Sequence, residues 1–382
     1  MPKVLLVDTN FSSTPIHDYL LQSGYDVYVC GGNPLDSLAK SCKNYINIDY
    51  SDTEAMHALV KTMKFDFVVP GCNDRSYRAC ANLVGDMYFG LDSAETEQII
   101  NNKELFRAFA LEHGLSVPRV VASPLTQDIW PLIVKPVDAY SGRGMSIIST
   151  SEQHKLQNAI TKAETFSNTN TCIIEEFVQG QLYSHSAFLR NGDFQAEFIV
   201  EEHGTANPFV VDTSWVVHDF PEKMLEKVRA DILRMAKELR LTDGLIHTQF
   251  IANDSSFWLI EVTRRCPGDL YSKLIESSTG FKYIEAYVAP FLNQNFFADK
   301  QKHQYVNILR HTISQSEEKI FNSIQFNTQL RINAYIPLCM PGDRVKASPF
   351  GRIGLLFAQV SEQQAFLALQ QKVLSRDIYT LH

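Results

Sequence analysis

The 382-residue sequence predicts an α/β domain with a doubly wound parallel sheet, followed by a part built of helices and strand pairs. Over the first hundred residues, short apolar strands alternate with amphipathic helices across short turns, which is typical of a doubly wound parallel sheet. Further along, apolar strands come in pairs joined by short turns, and helices separate these pairs. The length exceeds that of one ordinary core, so we expect two or three domains.

The elements of the N-terminal domain follow in order. The predicted strands cover Lys3–Asp8, Tyr25–Gly32 and Phe65–Gly71, and the predicted helices cover Pro15–Gly24, Thr53–Lys64 and Arg75–Asp86. Ligands of such sheets bind at the carboxyl ends of the strands. The residues expected at that rim are Asp8, Asn10, Gly31, Gly71, Asn73 and Asp74. The motif G-x-G-x-x-G does not follow the first strand, which disfavours a dinucleotide site.

Composition excludes several classes of protein. The formal net charge is −8, whereas a general nucleic-acid binder carries a basic surface. The sequence has no apolar run of about 18 residues, so we expect neither a membrane span nor a membrane partner. The first apolar strand is too short for the core of a signal peptide. The seven cysteines are odd in number and lack a C-x-x-C pair, so we expect reduced thiols and a cytoplasmic setting.

The segment from Pro131 to Ser149 is the most informative part of the chain. It predicts a short apolar strand that carries Lys135, a loop with the sequence S-G-R-G, and a second short apolar strand. A lysine inside an apolar strand beside such a loop indicates a polyphosphate clamp. The glycines let backbone N–H groups approach phosphate oxygens, and the ammonium supplies a point charge. An ordinary hairpin remains the alternative from these residues alone.

The remaining elements alternate helices with strand pairs. A helical stretch is predicted from Asn101 to Arg119, with its end at Gly114. The other predicted elements are a helix at Thr150–Phe166, a strand pair at Thr171–Leu189 broken at Gln179-Gly180, a helix at Glu222–Leu241, strands at Gly244–Asp254 and Ser255–Arg265, strands at Ile332–Met340 and Arg352–Val360, and a helix at Glu362–Val373. His185 is expected at the surface.

Four features occur in a fixed order along the chain. These are Lys103 on a helix, Lys135 before a glycine loop, the pair Glu175 and Glu176 at the end of an apolar strand, and Glu261 at the end of a later strand. In this order and spacing, roughly residues 1 to 300 resemble the ATP-grasp superfamily. The order of the four features is more specific than any one of them.

The resemblance implies a division into three parts. Residues 1–98 would form a Rossmann-like domain, 99–300 an ATP-grasp domain of two α+β lobes, and 301–382 a small C-terminal α+β unit that completes the second lobe. The nucleotide of this family lies between the two lobes.

The resemblance also implies the residues that contact the nucleotide. They are Lys103, Lys135, Ser141, Gly142, Gly144, Met145, Glu175, Glu176, Phe177 and Val178. In this family the two lysines contact phosphates, and the glycine loop covers the β- and γ-phosphates. Glu175 would accept a hydrogen bond from the adenine amino group, and Phe177 or Val178 would offer backbone groups to the ring.

Glu261 matches a magnesium-ligand carboxylate of the family, and the chain departs from the family pattern close to it. Gln249 stands where a second acidic ligand is usual, and Thr263 stands where an asparagine is usual. Leu182 occupies the position of the carboxylate that usually binds the ribose. Mg²⁺ takes hard oxygen ligands and much of its shell from the triphosphate, so few protein carboxylates suffice.

Arg265 matches an arginine that meets the reacting phosphate or acyl group. Its neighbour Arg264 faces the other side of the chain by strand alternation, so at most one of the two should reach the cleft. Asp269 could orient Arg265. His247 shares a strand face with Gln249 and could line the substrate site, with a purely structural role as the alternative. The implied catalytic residues are therefore Arg265, Lys135 and His247.

The function implied by the resemblance is an ADP-forming carboxylate–amine ligase that uses ATP and Mg²⁺. It would join a small carboxylate to a small amine through an acyl phosphate, with a homodimer as an open option for its assembly. Two alternatives remain open at this point. One is a carboxylase or carbamoyl-phosphate type of ATP-grasp enzyme, and the other is a catalytically degenerate nucleotide-binding protein.

Overall fold

The computed structural model describes residues 1–83, 88–122, 129–139, 142–149, 152–296 and 305–382. Ser141 lies outside these residues, as does the end of the helix predicted to reach Asp86. All seven cysteines lie inside them, and each is a free thiol. Within the described ranges, no helix has both the length and the apolar character needed to cross a membrane.

The N-terminal part is the expected parallel α/β layer. Among the described residues its sheet has four strands in the order β3-β2-β1-β4. The strands are β1 (Lys3–Val7), β2 (Asp26–Cys30), β3 (Tyr45–Ile46) and β4 (Phe67–Pro70), and the helices are α1 (Thr14–Gln22), α2 (Ser37–Ser41), α3 (Thr53–Met63) and α4 (Asp74–Asn82). Both neighbours of β1 run parallel to it. A parallel strand is covered on both faces, which explains why Val4 to Val7 are fully buried.

Two helices link this layer to the rest of the chain, α5 (Ala94–Asn101) and α6 (Lys103–Glu112). The helix predicted to begin at Asn101 begins at Lys103 instead, and Asn101 is the last residue of the preceding helix. The Asn102 side chain accepts hydrogen bonds from the backbone N–H groups of Glu104 and Leu105, so it caps a new helix. Its own backbone is extended, which ends α5 at the same residue.

A small antiparallel sheet follows, with three strands in the described residues and the order β6-β5-β7. The strands are β5 (Leu132–Pro136), β6 (Ser146–Ile148) and β7 (Cys172–Glu176), and helix α7 (Gln153–Phe166) packs on one face. Leu156, Ala159 and Ala163 of α7 bury Val134 and Ile148 in a separate small core. The β5–β6 hairpin agrees with the segment predicted around Lys135.

The largest sheet has eight strands within the described residues, in the order β12-β11-β8-β9-β10-β13-β18-β16. Its strands are β8 (Gln181–Arg190), β9 (Asp193–His203), β10 (Thr213–Val217), β11 (Gly244–Ala252), β12 (Phe257–Thr263), β13 (Asn307–Ile313), β16 (Arg331–Pro337) and β18 (Gly354–Val360). The other elements are α8 (Glu222–Glu238), α9 (Tyr271–Thr279), α10 (Tyr283–Val288), α11 (Gln363–Leu374) and the short strand pairs β14 (Lys319–Ile320) with β17 (Arg344–Val345) and β15 (Ile324–Phe326) with β19 (Tyr379–Leu381). Strands from beyond residue 300 thus extend the same sheet.

Helices cover both faces of the large sheet. Val228 and Ile232 of α8 pack on one face, against Ile246 and Phe250 of β11. His185 lies in this sheet and is buried, so its expected surface position is wrong. Its Nε2 lies 2.8 Å from Glu197 Oε2, and the Glu197 carboxylate in turn pairs with an arginine of α8. The sequence showed only a polar residue after a turn, whereas strand pairing places it under a helix.

Helices α9 and α10 lie against the opposite face of the large sheet. The Ser184 and Ser186 hydroxyls hydrogen-bond to the Tyr271 and Tyr283 hydroxyls at 2.6 and 2.7 Å. The core on this side also includes the N-terminal parallel sheet. Gln249 is paired directly with Ser184 and with Glu261, so these residues share the face that is turned towards α9.

Candidate functional site

A buried cluster of three charges lies on the small sheet. Lys135 is on β5 and Glu175 on β7, and the Lys135 Nζ–Glu175 Oε2 distance is 2.6 Å. Arg107 of α6 donates from Nε to the other carboxylate oxygen, also at 2.6 Å. Glu175 is fully buried, and both cations are nearly so. Both carboxylate oxygens of Glu175, the residue expected to accept from adenine, therefore face protein cations.

Electrostatics keep this cluster charged. Burial alone would raise the pKa of the Glu175 carboxyl, but Lys135 and Arg107 outweigh burial and hold the pKa below its usual value. The pKa of Lys135 is lowered by burial and by its neighbours Arg107 and Lys103, which Glu175 offsets only in part. Two cations thus share one anion, and the cluster has an excess of positive charge.

Arg107 connects the small sheet to the large one. Its Nη2 donates to the Ile260 carbonyl oxygen of β12 at 3.0 Å, while its Nε holds Glu175 of β7. Its Nη1 is buried and has no hydrogen-bond partner among the described residues. The sequence analysis missed Arg107. A signal was available, because Arg107 follows Lys103 by four residues and so lies on the same face of the helix.

The other described residues implied for the nucleotide lie on α6, before β6 and at the end of β7. Lys103 begins α6, and its Nζ donates to the Ala139 carbonyl at 2.9 Å. Glu176 accepts from the Arg119 backbone N–H, and the Phe177 N–H donates to the Pro131 carbonyl. The Met145 carbonyl accepts from Lys162 Nζ. Val178 follows Phe177 in the segment between β7 and β8.

The glycines of the loop after β5 are required by geometry. Gly142 and Gly144 both have positive φ, at 65° and 73°. A Cβ on Gly142 would lie 2.4 Å from the Phe209 carbonyl oxygen, and one on Gly144 would lie 2.8 Å from the Phe166 side chain. The Arg143 guanidinium stands over the Phe350 ring, 5.5 Å from its centroid. The described part of this loop therefore packs against segments from outside the small sheet.

A second cluster lies on the large sheet, where Gln249 and Glu261 are paired across β11 and β12. The Gln249 amide nitrogen donates to Glu202 Oε2 of β9 at 2.6 Å. Glu202 is buried, and burial raises the pKa of its carboxyl, while hydrogen bonds from Ser184 and Gln249 oppose that rise. Sequence reasoning missed Glu202, because its approach to Gln249 depends on the lateral order of strands that are far apart in sequence.

The end of β12 is held by the N-terminal domain. Arg265 donates from Nε and Nη2 to the two carboxylate oxygens of Asp74, both at 2.9 Å. The Thr263 hydroxyl donates to the same carboxylate at 3.0 Å. Burial would raise the Asp74 pKa, but Arg265 and Thr263 outweigh it, so the pKa is lowered. Asp74 was expected at the rim of the parallel sheet, and it reaches across to Thr263 and Arg265.

Arg264 and Arg265 point to different partners, as strand alternation predicted. Arg264 is buried and donates to Asp92, away from Asp74. Asp269, suggested as the residue that orients Arg265, pairs instead with Arg352 and lies near Arg310. That suggestion is therefore wrong. The Pro267-Gly268 turn displaces Asp269, and its carboxylate faces the C-terminal strands.

His247 lies on the same face of β11 as Gln249 and is buried. Its ring stands edge-on to Tyr271, with 5.0 Å between the ring centroids. Burial, followed by the nearby Arg265 charge, lowers the pKa of His247 to about 3. Its Nδ1 has no hydrogen-bond partner within the described part of the chain. The neutral imidazole thus keeps one buried ring nitrogen to which the described residues offer no hydrogen bond.

The chemistry of these side chains fits a hard cation that takes most of its ligands from elsewhere. Glu261 offers a carboxylate and Gln249 an amide oxygen, which are both donors that Mg²⁺ accepts. Across the described ranges, no group of three or more His, Cys, Asp or Glu side chains could hold a metal ion. A complete protein cage is therefore lacking there. A magnesium nucleotide needs no such cage, because its phosphates and waters fill the remaining positions.

A small and a large antiparallel sheet, bridged by buried charges and preceded by a parallel α/β layer, define a mixed α/β protein with two lobes. Residues 129–273 match the family model of the ATP-grasp domain. The chain thus carries an ATP-grasp domain, and the resemblance of its motifs to this superfamily is confirmed.

Curated relatives and solved structures agree with this family. Over 201 residues the chain is 23% identical to the formate-dependent phosphoribosylglycinamide formyltransferase of Prochlorococcus marinus, which covers 50% of this chain and 52% of that protein. The L-amino acid ligase from Bacillus licheniformis superposes with a TM-score of 0.77 at 14% identity, covering 100% of this chain and 98% of that one. The biotin carboxylase domain of Hydrogenobacter thermophilus 2-oxoglutarate carboxylase, in complex with MgADP and bicarbonate, gives 0.74 at 13% identity and covers 100% and 90%.

The structural matches and the curated relatives differ in how much of each chain they cover. The two structural matches cover the whole of this chain, and at such low identity they establish the fold alone. The chain spans about half the length, or less, of the curated relatives that it matches.

Proposed function

We propose that the chain is an ATP-dependent, ADP-forming ligase that joins a small carboxylate to a small amine. The observation that carries this proposal is the bridge made by Arg107. It connects Glu175, and through it Lys135, to the backbone of β12 one residue before Glu261. A cationic cluster suited to phosphates thereby lies next to the strand that carries hard oxygen donors.

The reaction would proceed through an acyl phosphate. An oxygen of the substrate carboxylate attacks the γ-phosphorus of ATP, and the bond to the β-phosphate oxygen breaks to release ADP. The amine then attacks the acyl carbon, and inorganic phosphate leaves. The protein supplies positioning and charge for both steps, and no covalent enzyme intermediate is needed.

Each side chain has a role in this scheme. Lys103 and Lys135 bind the phosphates, and the loop with Gly142 and Gly144 covers them. Arg265, held by Asp74, neutralises the charge on the transferred phosphoryl or acyl group. Support for this role comes from its rigid placement, because two of its donors are fixed on one carboxylate and the remaining N–H groups keep a set direction.

Magnesium would be held by Glu261 and the Gln249 amide oxygen, and when bound it screens the charge of the triphosphate. Thr263 would supply at most a neutral hydroxyl oxygen, because its proton is directed to Asp74 and only its lone pairs stay open to a cation. His247 would line the substrate site as a neutral imidazole. We also propose the division into residues 1–98, 99–300 and 301–382, with the last part completing the large sheet of the second lobe.

The substrate pair is proposed only as a class. The formyltransferase relative is formate-dependent and acts on phosphoribosylglycinamide, and the structural neighbour is a ligase of L-amino acids, as their names state. Arg265, held by Asp74, and the arginines Arg310 and Arg352 around Asp269 favour an anionic partner. A small acid, including an amino acid, is therefore the carboxylate substrate that we propose.

ADP release tests the proposal directly. The protein is incubated with ATP and Mg²⁺ against a matrix of small acids and amines, with bicarbonate as one of the acids. A ligase requires one acid and one amine together, and ¹⁸O from the labelled carboxylate appears in phosphate. Turnover with bicarbonate in place of other acids would instead indicate a carboxylase. Nucleotide binding without turnover in any combination would indicate a degenerate member.

A further inference from the structure

Gln249 is the most consequential departure of this chain from its family, because an amide replaces a carboxylate at the proposed magnesium site. The structure places a different carboxylate beside it. Glu202 comes from β9, which is separated from β11 by β8 in the sheet, and its Oε2 accepts a hydrogen bond of 2.6 Å from Gln249 Nε2. The negative charge missing from position 249 thus lies one hydrogen bond away.

This hydrogen bond also fixes the direction of the amide. A carboxylate accepts hydrogen bonds and an amide NH₂ group donates them, so the nitrogen of Gln249 must face Glu202. The amide oxygen then points away from Glu202. An isolated glutamine could present either atom to a cation, and only the oxygen can bind one. Glu202 therefore selects the orientation that is useful to a metal.

Glu202 is itself held firmly. It is 4% exposed, and the nearby Ser184 side chain lowers the pKa of its carboxyl, against the rise that burial causes. The Ser184 hydroxyl is in turn bonded to the Tyr271 hydroxyl of α9 at 2.6 Å. These contacts form a chain from a packed helix through two side chains to Gln249. Such supporting contacts are what orient the direct ligands in metal sites.

We propose that Glu202 is a positioning residue that compensates for Gln249, holding its amide oxygen towards the cation and supplying the second negative charge beside Glu261. This inference rests on the proposed function, since it concerns the magnesium nucleotide of that reaction. It adds a role for a residue on a different strand from the family ligands. The site thus keeps two carboxylates, but the second one comes from Glu202 on β9 and not from position 249.

The test measures how much Mg²⁺ strengthens ADP binding, by calorimetry with ADP alone and with ADP plus MgCl₂. The ratio of the two dissociation constants is compared for the wild type and four variants. Glu202→Gln should lower this magnesium enhancement by about 10- to 100-fold, the range for losing a supporting contact of a metal ligand. ADP binding without Mg²⁺ should stay within about threefold of the wild-type value.

The exchange variant gives the decisive result. Glu202→Gln combined with Gln249→Glu moves the carboxylate back to position 249 and keeps an amide–carboxylate hydrogen bond between the two residues. It should restore the magnesium enhancement to within about threefold of wild type. Gln249→Glu alone places two carboxylates side by side and should lower the thermal midpoint relative to the exchange variant.

Glu201→Gln is the matched control, because it makes the same charge change one residue away. Glu201 points to the other face of β9 and contacts His203. Its magnesium enhancement should equal that of the wild type. An unchanged enhancement in Glu202→Gln, or no recovery in the exchange variant, would overturn the role of Glu202. A wild type that binds no ADP in either buffer would overturn the proposed function instead.

Discussion

Replacing Glu175 by glutamine should destabilise the protein more than replacing either of its cationic partners. The carboxylate is fully buried and lies 2.6 Å from both Lys135 Nζ and Arg107 Nε. The formal charge of the cluster is +1 in the wild type. Glu175→Gln raises it to +2 and leaves two buried cations facing each other. Removing one partner of a buried ion pair costs about 3–5 kcal/mol in the free energy of unfolding, so we expect a loss in this range.

Arg107→Met should cost less, although it removes a larger side chain. The remaining Lys135–Glu175 pair is neutral overall and keeps its short contact. The main loss is the hydrogen bond to the Ile260 carbonyl, with an expected cost of about 1–3 kcal/mol. Glu176→Gln is the neighbouring control. Its pair with Arg119 spans 3.7 Å at the surface, so its removal should cost less than about 1 kcal/mol.

Urea unfolding followed by circular dichroism checks this order. The midpoints should fall from wild type in the sequence Glu176→Gln, Arg107→Met, Glu175→Gln, with similar slopes in denaturant. The argument depends on net charge in a buried site. It would be refuted if Arg107→Met lowered the midpoint as far as Glu175→Gln, because packing or backbone contacts would then outweigh charge.

Four further predictions concern the proposed site. Lys135→Ala should weaken ATP binding by about 1.5–3 kcal/mol, the scale of one charge-assisted hydrogen bond, and unchanged affinity in calorimetry would contradict its contact with phosphate. Glu261→Gln should abolish turnover while the thermal midpoint stays within about 2 °C; an active variant with normal Mg²⁺ dependence would place the metal elsewhere. Asp74→Asn should lower kcat by about 10- to 100-fold with little change in ATP affinity, because Arg265 loses the carboxylate that directs it; equal losses in both quantities would argue for a general structural role. The fourth concerns pH. The pKa of His247 falls from an ordinary 6.5 to about 3 on folding, so between these values only the unfolded chain takes up the proton and acid destabilises the fold. His247→Gln should remove about 2 kcal/mol of the stability lost between pH 7 and pH 5, and urea titrations at both values with identical losses in the two proteins would refute the assignment.

Much of the fold could be predicted because its signals are local. Alternating strands and helices with short turns indicated the parallel layer, and the apolar run around Lys135 indicated the β5–β6 hairpin. Strand alternation alone predicted that the Arg264 and Arg265 side chains point in different directions. The start of α6 was misplaced, since the capping by Asn102 depends on one side chain rather than on a periodic pattern. Such a cap competes with helix continuation at a single residue, and hydrophobic periodicity does not register it.

The partners of the site residues could not be predicted in the same way. Asp74 and Arg265 are 191 positions apart, and Glu202 and Gln249 are 47 positions apart. Their contacts depend on the lateral order of strands and on how the parallel layer docks on the large sheet. The spacing of residues along the sequence does not indicate the lateral strand order or the docking of the two sheets. The residues with a family motif could be located, whereas the carboxylates that hold them had to come from the three-dimensional arrangement.

The contact between Arg107 and the Ile260 carbonyl has a further consequence for solubility. Among the described residues, β12 is the outermost strand at one end of the large sheet, where unpaired backbone groups can recruit a strand from another molecule. The Ile260 carbonyl is taken by Arg107, and the adjacent Leu259 N–H donates to the Ser116 carbonyl at 2.7 Å. Arg107 of α6 and Ser116 in the segment after it thus shield the edge strand β12 against the addition of a strand from another molecule. Loss of Arg107 would uncover it, so aggregation during refolding should accompany any loss of nucleotide binding.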